Sequence, residues 1–379
     1  MRLAILYASA GHGHQKVAEA IREGFLACGV PQEEVLLLDA LDEMLPWFKT
    51  LYNSIYYYSV KHTPRAWGGA YELSDLPFIY KSLARPCRRW INGFVGRGLV
   101  QRMIRERPDA IIFTHFLAPE VLGPAKEAGK LSSLLVTVVT DFMPHSFWVN
   151  AGTDYYWVMS EEGRIKLETG GIPSKKITVG GIPVSLRFRS EGKRREVRKK
   201  EGLEENRFTL LITSGSFGLG PTIEVLDSLR EFSERIQAIV VCGRNQKLYG
   251  SLQAKQYPFL VRLHGFVSHM DELMETSDLV IAKPGGATTT ESLAKGVPMA
   301  VLKPIPGQEA GNARLLKERN ASFLLGKPSD IKIILKGVLD YPEVLEEKKR
   351  NMARLAKPEA ALELARFVMR ELDSKSAGA

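Results

Sequence analysis

The chain contains one local pattern twice: a short apolar run, a glycine-rich turn and a segment with helical periodicity. The first copy has its apolar run at residues 3–9 and its turn, AGHGH, at 10–14. The second has its run at 208–213 and its turn, SGSFGLGP, at 214–221. A buried strand that passes through a glycine-rich turn into a helix opens a doubly wound α/β domain. The repeat therefore predicts an α/β protein with two such domains.

Further apolar runs extend this pattern along both halves. We place the first domain at residues 1–185 and the second at 186–357, and we expect the last helix, in 358–379, to pack back on the first domain. The polar run 193–201 at the junction predicts a helix with a solvated face. The additional strands are expected at 35–38, 110–113, 134–140, 155–159 and 177–179 in the first half, and at 236–242, 261–263, 279–281 and 299–302 in the second.

Composition excludes several classes of protein. The 379 residues suit two domains, and 45% hydrophobic with 25% charged residues is typical of a globular protein. Cys28, Cys87 and Cys242 show no metal-ligand spacing and indicate a reducing compartment. No apolar run approaches the roughly 18 to 20 residues that a membrane span needs. We therefore expect a cytoplasmic protein without a disulfide framework.

Three polar clusters follow predicted strands of the second half. Residues 214–220 form a glycine-rich turn before a helix, which suits an anion, although such a turn is as often a plain connector. In 283–291, Gly285 and Gly286 expose backbone donors before a helix predicted at 289–295, and Glu291 either accepts ribose hydroxyls or caps that helix. In 304–312, an amide beside a carboxylate suits sugar hydroxyls or simply starts a helix. Together the clusters predict a nucleotide-sugar site.

Three stretches of sequence resemble glycosyltransferase family 28 in its glycolipid-synthase branch. This branch contains the processive diacylglycerol glucosyltransferases of bacteria and the monogalactosyldiacylglycerol synthases of plastids. The stretches are SAGHGHQKVAEAI near the start, VVTDFMPHSFWVNAGTDYYWV with ITVGGIPV in the middle, and KPGGATTTESLAKGVPMAVLKPIPGQEAGN in the second half.

The resemblance implies a GT-B fold, with two Rossmann-like domains facing across a cleft, and an inverting, metal-independent transfer from a UDP-sugar. The chain has no Asp-x-Asp pair, so we expect no divalent metal and no cofactor besides the sugar nucleotide. By motif, Ser216 and the surrounding glycines contact the diphosphate, the backbone around Phe266 and Val267 holds the uracil, and Glu291 binds the ribose. The resemblance also assigns Gln308 and Glu309 to the hexose, and Thr288 and Thr289 to neutralising the leaving UDP. The donor-site residues implied are Gly215, Ser216, Phe217, Gly218, Phe266, Val267, Gly285, Gly286, Thr288, Thr289, Glu291, Gln308, Glu309 and Asn312.

An inverting transfer needs a base that takes the proton of the attacking hydroxyl. Asp141 follows a predicted strand, and His145 lies four residues on, where it could orient that carboxylate. His14 lies in the first glycine-rich turn, where a lone histidine is more often a local cap than a catalyst. The resemblance favours Asp141 as the base with His14 near a substrate, and His115 is a weaker acceptor-site candidate.

Positive charge concentrates in one segment of the first half. The chain has a net charge of +9, and residues 45–107 hold eleven Lys and Arg against three acidic residues. Twelve aromatic residues are interleaved with these basic ones between positions 47 and 94. Such a mixture suits an anionic bilayer surface, but also a helical cap with core aromatics or stacked nucleic acid.

We favour membrane docking, because the sequence contains no nucleic-acid-binding motif and we expect no nucleic-acid partner. The candidate membrane or acceptor residues are Trp47, Phe48, Tyr57, Trp67, Arg85, Arg88, Arg89 and Trp90.

The sequence therefore predicts a peripheral enzyme at the cytoplasmic face of the membrane that moves glucose or galactose from a UDP-sugar to 1,2-diacylglycerol. One alternative is a UDP-GlcNAc transferase that acts on a polyprenyl-linked cell-wall precursor. Another is a catalytically silent sugar-nucleotide-binding membrane protein, and a nucleotide-sugar epimerase would share the donor site.

Overall fold

A computed structural model describes residues 1–9, 11–76, 78, 80, 82, 85–189, 192–215, 218, 220–302, 304 and 307–377. The chain divides into two compact units. The first unit contains Met1–Leu186, Pro306–Gly311 and Lys357–Ala379, and the second contains Arg187–Ile305 and Asn312–Ala356.

The first unit is built on one parallel sheet. Its strands are β1 Leu3–Tyr7, β2 Val35–Asp39, β3 Ala110–Phe113, β4 Leu134–Val138, β5 Tyr155–Val158 and β6 Ile177–Val179. They are ordered β2-β1-β3-β4-β5-β6, so the order reverses between β1 and β3. At such a reversal, the carboxyl ends of the strands leave a crevice where ligands bind.

The helices of the first unit cover this sheet or extend from it. They are α1 His12–Ala27, α2 Pro46–His62, α3 Pro64–Asp75, α4 Arg85–Val95, α5 Arg97–Glu106, α6 Leu117–Glu127, α7 Glu161–Thr169 and the C-terminal α16 Ala360–Ala377. Helix α16 packs on α1, and the two backbones approach so closely that a Cβ at Gly24 would meet the carbonyl oxygen of Ala361.

The second unit repeats the architecture. Its strands are β7 Phe208–Thr213, β8 Ile236–Val241, β9 Val261–His264, β10 Leu279–Ala282, β11 Met299–Val301 and β12 Ser322–Leu324, in the parallel order β12-β11-β10-β7-β8-β9. The order reverses between β7 and β10. Its helices are α8 Arg194–Lys200, α9 Thr222–Ser228, α10 Gln246–Gln253, α11 Met270–Glu275, α12 Gly286–Lys295, α14 Ile331–Asp340 and α15 Glu343–Leu355, while α13 Gln308–Glu318 crosses the division.

The central strands are buried on both faces, as is usual for a parallel sheet covered by helices. Strands β3 and β4 are buried at every position, and so are β8 and β10. Every predicted strand is present, and its bounds agree with the prediction within two residues. Among the described strands, only β12 was not predicted from the sequence.

The run 193–201 contains helix α8, and its predicted solvated face is present, since five of these nine residues are exposed. Val197 and Arg198, on the same helix, are buried. The guanidinium of Arg198 donates to the hydroxyl of Thr209 at 2.7 Å and to the carboxylate of Asp278 at 3.2 Å. A buried charge with such partners is tolerated, so a run that is polar in sequence contributes to the second unit's interior.

Among the described residues, no helix combines the length and apolar character needed to cross a bilayer.

Candidate functional site

In the second unit, a tight glycine turn follows β7. Gly215 and Gly218 have positive φ angles of 70° and 60°, and the N–H of Gly218 donates to the carbonyl of Gly215 at 3.0 Å. Asn245, after β8, holds this turn by donating from Nδ2 to the Gly218 carbonyl at 2.9 Å. The backbone is therefore folded for close approach of a ligand. Ser216 and Phe217, the two other predicted residues of this turn, lie outside the described residues.

Helix α12 begins at the end of β10 and supplies backbone donors. Gly285 is its N-cap and Gly286 its first residue, three residues earlier than the sequence analysis predicted. The N–H of Thr289 donates to the Gly285 carbonyl at 2.9 Å, so the N–H groups of Gly286, Ala287 and Thr288 precede the helical ladder. The first turn holds no acidic residue. Three donors and the positive end of the helix dipole therefore favour an anion there.

The next two predicted residues of α12 are buried. The side chain of Thr289 is fully buried, and its hydroxyl has no hydrogen-bond partner among the described residues. Glu291 is 5% exposed and lies in the second helical turn, because the helix starts earlier than expected. Thr288 is half-buried and lies nearer the helix start.

The segment after β9 presents an aromatic ring. Phe266 is 54% exposed, which is unusual for phenylalanine, and the guanidinium of Arg244 lies 5.4 Å from its ring centroid. Val267 beside it is half-buried. An exposed aromatic ring beside a cation suits the flat, polar surface of a nucleobase. Arg244 was not selected from the sequence, although the glycine turn before it is a local signal.

The third predicted cluster begins α13. Asn312 is 1% exposed and donates from Nδ2 to the carbonyl of Pro284 at 2.8 Å, which fixes α13 to the loop before α12. Glu309 is in the first turn and is half-buried. The backbone of Gln308 is helical, but its side chain lies outside the described residues. Asn312 therefore acts on the shape of the loop.

In the first unit, His14 lies where β1, β3 and β4 end. Its Nδ1 is 2.7 Å from the carbonyl oxygen of Thr114 and 3.1 Å from the hydroxyl of Thr140. Because a carbonyl only accepts, Nδ1 carries the proton and Nε2 keeps a lone pair. Burial lowers the pKa of His14 to about 4, although the hydrogen bond to Thr114 opposes this. His14 is therefore a neutral imidazole that can accept a proton.

Asp141 follows β4 and is 4% exposed. Its Oδ2 accepts the indole N–H of the fully buried Trp148 at 2.9 Å. Asp141 therefore helps to fix the 3₁₀ turn Ser146–Trp148 against the end of the sheet.

His145 holds two backbone segments together. Its Nδ1 accepts the N–H of Phe147 at 3.1 Å, and its Nε2 lies 2.9 Å from the carbonyl of Tyr71. Both nitrogens are therefore engaged by backbone, which leaves neither for the expected hydrogen bond to Asp141. Burial lowers the pKa of His145 to about 4, against the opposing charge of Asp75.

His115, the weaker candidate, lies beside His14 with 4.6 Å between the ring centroids. It is 3% exposed, and its Nδ1 accepts the N–H of Leu117 at 3.2 Å. Burial holds the pKa of His115 well below the usual value, and the charge of Arg88 acts in the same direction. Both imidazoles are therefore neutral near pH 7.

Asp39, which the sequence analysis did not select, organises the loop after β1. Its Oδ1 accepts the N–H groups of Ser9 and Leu41 at 3.2 and 3.1 Å, and its Oδ2 accepts from Lys49 at 2.8 Å. Its position at the end of β2 could have identified Asp39 from the sequence, because polar groups at strand ends often lie in a site.

The aromatic and basic segment separates into outer and inner residues. On α2, the exposed Trp47, Leu51, Ile55 and Tyr58 recur at helical spacing. On α4, Trp90, Ile91 and Phe94 are 78%, 43% and 51% exposed. Tyr57 and Arg89 are also exposed, and Trp67 and Arg85 are half-buried. Both helices therefore present apolar side chains outward.

Two candidates in this segment point inward instead. Phe48 is 8% exposed and belongs to the core of the first unit. Arg88 lies 3.7 Å from the Phe147 ring centroid and pairs with the buried carboxylate of Glu120 at 2.5 Å, which Asn92 also contacts at 2.7 Å. These two side chains therefore stabilise the interior of the first unit and do not lie on an outer surface that could face a membrane.

Comparison with known proteins shows the family. Residues 14–184 match the family model described as monogalactosyldiacylglycerol (MGDG) synthase, and residues 209–363 match that of the glycosyltransferase family 28 C-terminal domain. The chain is 30% identical to a processive diacylglycerol beta-glucosyltransferase of Bacillus pumilus, over 93% of this chain and 91% of that protein. The chain belongs to glycosyltransferase family 28, in its glycolipid-synthase branch.

Two further similarities fit this family 28 chain. It is 30% identical to monogalactosyldiacylglycerol synthase 1, chloroplastic, of Arabidopsis thaliana, over 96% of this chain and 69% of that protein. Its fold resembles the crystal structure of Acinetobacter baumannii MurG with a TM-score of 0.59, at 13% identity over 97% of this chain and 99% of that one. The expected α/β architecture of the GT-B type is thereby confirmed.

Proposed function

We propose that this chain is a hexosyltransferase that moves glucose or galactose from a UDP-sugar to the free hydroxyl of 1,2-diacylglycerol. The proposal rests on the similarity to a processive diacylglycerol beta-glucosyltransferase over 93% of this chain. The required chemistry is present at the carboxyl ends of the strands in each unit. The second unit offers anion-binding donors there, and the first unit offers a neutral imidazole.

The second unit binds the donor in this proposal. The diphosphate takes the N–H groups at the start of α12 and of the turn at Gly215 and Gly218, while the uracil lies against Phe266. Glu291, in the second unit, is assigned to the ribose by motif. Backbone donors that are already oriented stabilise the charge that grows on departing UDP.

The first unit supplies the base, and the structure favours His14 for this role. His14 is neutral with a lone pair on Nε2, whereas Asp141 is buried against Trp148. The Nε2 lone pair takes the proton of the acceptor hydroxyl while that oxygen forms a bond to C1 of the hexose. The bond from C1 to the diphosphate breaks on the opposite face, and UDP leaves with the electron pair, so the configuration at C1 inverts.

No divalent cation takes part at the diphosphate in this proposal, because main-chain donors and the helix dipole do the work of a metal. Millimolar Mg²⁺ or Mn²⁺ should therefore leave the turnover of metal-depleted protein unchanged.

The chain works at an anionic membrane surface, at the cytoplasmic face, in this proposal. The apolar stripe of α2 and the exposed side chains of α4 enter the headgroup region, and the surrounding basic residues each add about 1 kcal/mol. Trp90→Glu should weaken co-sedimentation with phosphatidylglycerol vesicles at least tenfold. The matched control is Ile333→Glu, since Ile333 is 75% exposed in the second unit. Equal losses of vesicle binding in the two variants would show that α4 is not part of the membrane-binding surface.

The proposal is tested by UDP release from purified protein with anionic liposomes, with and without diacylglycerol. UDP-glucose, UDP-galactose and UDP-GlcNAc are supplied in turn, and the anomer of the product is read by NMR. Release that needs diacylglycerol and one hexose supports the proposal and identifies the sugar. UDP binding without release would indicate a silent binder, and release only from UDP-GlcNAc with a polyprenyl-linked acceptor would indicate the cell-wall reaction.

A further inference from the structure

Three side chains of the second unit converge at a place that sugar transfer does not use. Glu201 follows α8, His264 is the last residue of β9, and His269 directly precedes α11. One ligand atom from each lies within 4.8 Å of the other two. The closest pair is Glu201 Oε2 and His264 Nε2, which are 2.9 Å apart.

The hydrogen-bonding of this cluster is incomplete. The Nε2 of His269 is buried and has no partner among the described residues. Its ring is edge-on to that of His264, with 6.1 Å between the centroids. A buried imidazole nitrogen without a hydrogen-bond partner destabilises the fold, so its presence calls for a ligand.

The carboxylate of Glu201 is available to complete such a site. Arg262 does not pair with this carboxylate in the described contacts, because its guanidinium donates to the carbonyl oxygens of Glu201 and Gly202 at 2.6 and 3.1 Å. The carboxylate instead accepts from His264, and a cation could replace the proton between them.

We propose that Glu201, His264 and His269 bind one divalent transition-metal ion, with Zn²⁺ as the best fit. Two imidazoles and one carboxylate are a common zinc set, with water as the fourth ligand, and Mg²⁺ and Ca²⁺ prefer all-oxygen sites. Tetrahedral bonds of about 2.0 to 2.1 Å place ligand atoms roughly 3.3 Å apart. The three atoms therefore need to move by about 1.5 Å at most.

The ion would fasten an edge strand. In the described sheet, β9 pairs only with β8, and residues 265–269 continue from it. Zinc would tie this strand end and His269 to the end of α8. Because the same segment carries Phe266, zinc should also tighten UDP binding, and this consequence alone rests on the proposed function.

The test uses the tag-free full chain after removal of metals with a chelator. Titration calorimetry with ZnSO₄, and the visible absorption of added CoCl₂, should show one ion per chain and a zinc-dependent rise in melting temperature. His269→Gln and Glu201→Gln should each weaken zinc binding at least tenfold. The control is His62→Gln, which removes an exposed histidine of α2 and should bind zinc like the parent.

Two outcomes would overturn the site: no saturable uptake of one zinc ion, or equal uptake by the parent and His269→Gln. Circular dichroism of the metal-free variants establishes that they are folded. A 100-fold excess of Mg²⁺ should not displace the cobalt absorption. Because metal uptake is read directly, the zinc site stands or falls independently of sugar transfer, whose failure would appear only as absent UDP release.

Discussion

The carboxyl edges of the two sheets are built from different materials. In the second unit, the edge consists of main-chain N–H groups, glycines with positive φ and a helix whose first turn holds no acidic residue. In the first unit, it consists of buried imidazoles whose pKa values are lowered by burial. A main-chain site tolerates loss of side chains but not the addition of a Cβ. A site of buried side chains depends on each one and on the pH.

The largest effect should come from His14→Gln, because glutamine cannot take the proton that the Nε2 lone pair accepts. Turnover should fall by about 10² to 10⁴ fold, while the affinity for UDP, measured by calorimetry, stays at the parent value because donor binding belongs to the second unit. With a pKa of about 4, His14 stays deprotonated at neutral pH, so kcat/KM of the parent should be flat between pH 6 and 8.

Asp141→Asn is the matched comparison, since its amide oxygen can still accept the indole N–H of Trp148. We expect it to lose less turnover than His14→Gln. If Asp141→Asn loses turnover while still binding UDP-sugar, and His14→Gln keeps its turnover, then the carboxylate of Asp141 is the base, as the resemblance favours. A parallel loss of UDP binding in Asp141→Asn would exclude a role confined to the first unit.

The second prediction concerns acid stability of the first unit. His14 and His145 have pKa values of about 4 in the folded chain and about 6.5 when unfolded. The unfolded state therefore binds more protons between these values, and stability is lost as the pH falls from 6.5 to 4. Each histidine should contribute a slope of about 1.4 kcal/mol per pH unit, and His115 adds to the loss.

This prediction has a selective readout. All five tryptophans lie at or before position 157, so tryptophan fluorescence during urea unfolding reports the first unit. His145→Asn should reduce the slope of the free energy of unfolding against pH by the contribution of one proton, about 1.4 kcal/mol per pH unit. An unchanged slope would mean that His145 is protonated in the folded chain, which its contacts with two backbone segments oppose.

The difference between main-chain and side-chain sites also explains how well each edge can be predicted from the sequence. The main-chain site is encoded locally, since glycines after an apolar run mark the turn at Gly215 and the start of α12. The strands were predictable for the same reason, whereas β12 begins with a serine and ends with the exposed Leu324, so it lacks the apolar pattern of a buried strand.

The first unit's edge depends on contacts that no local pattern records. His14 meets residues 100 and 126 positions away, at Thr114 and Thr140. Arg88 resembled a surface cation because its partner, Glu120, lies 32 positions away. Periodicity shows which residues face a core, but the pairing of buried polar groups is decided by the fold. The site residues of this unit were therefore only partly predictable.

A smaller but specific loss is expected from Gly218→Ala. The added Cβ would lie 2.5 Å from the Cβ of Asn245 and against the carbonyl of Cys242, at a φ of 60° that favours glycine. The turn must shift, so UDP affinity measured by calorimetry should fall at least tenfold. Gly250→Ala is the control, because a Cβ there meets nothing within 4 Å. It should leave UDP affinity unchanged and stabilise α10 by about 0.5 to 1 kcal/mol. Equal UDP affinity in the two variants would show that this turn is not part of the donor site.

The smallest effect should be that of Thr289→Val, which tests whether main chain or hydroxyl groups hold the diphosphate. The Thr289 hydroxyl is buried without a described partner, so its removal should stabilise the second unit by up to about 1 kcal/mol. Turnover should change less than about threefold, because the N–H groups that precede the helical ladder remain. The resemblance instead implies that this hydroxyl helps to neutralise departing UDP. A tenfold loss of kcat with unchanged UDP affinity would support that role, and the second edge would then depend on side chains as the first does.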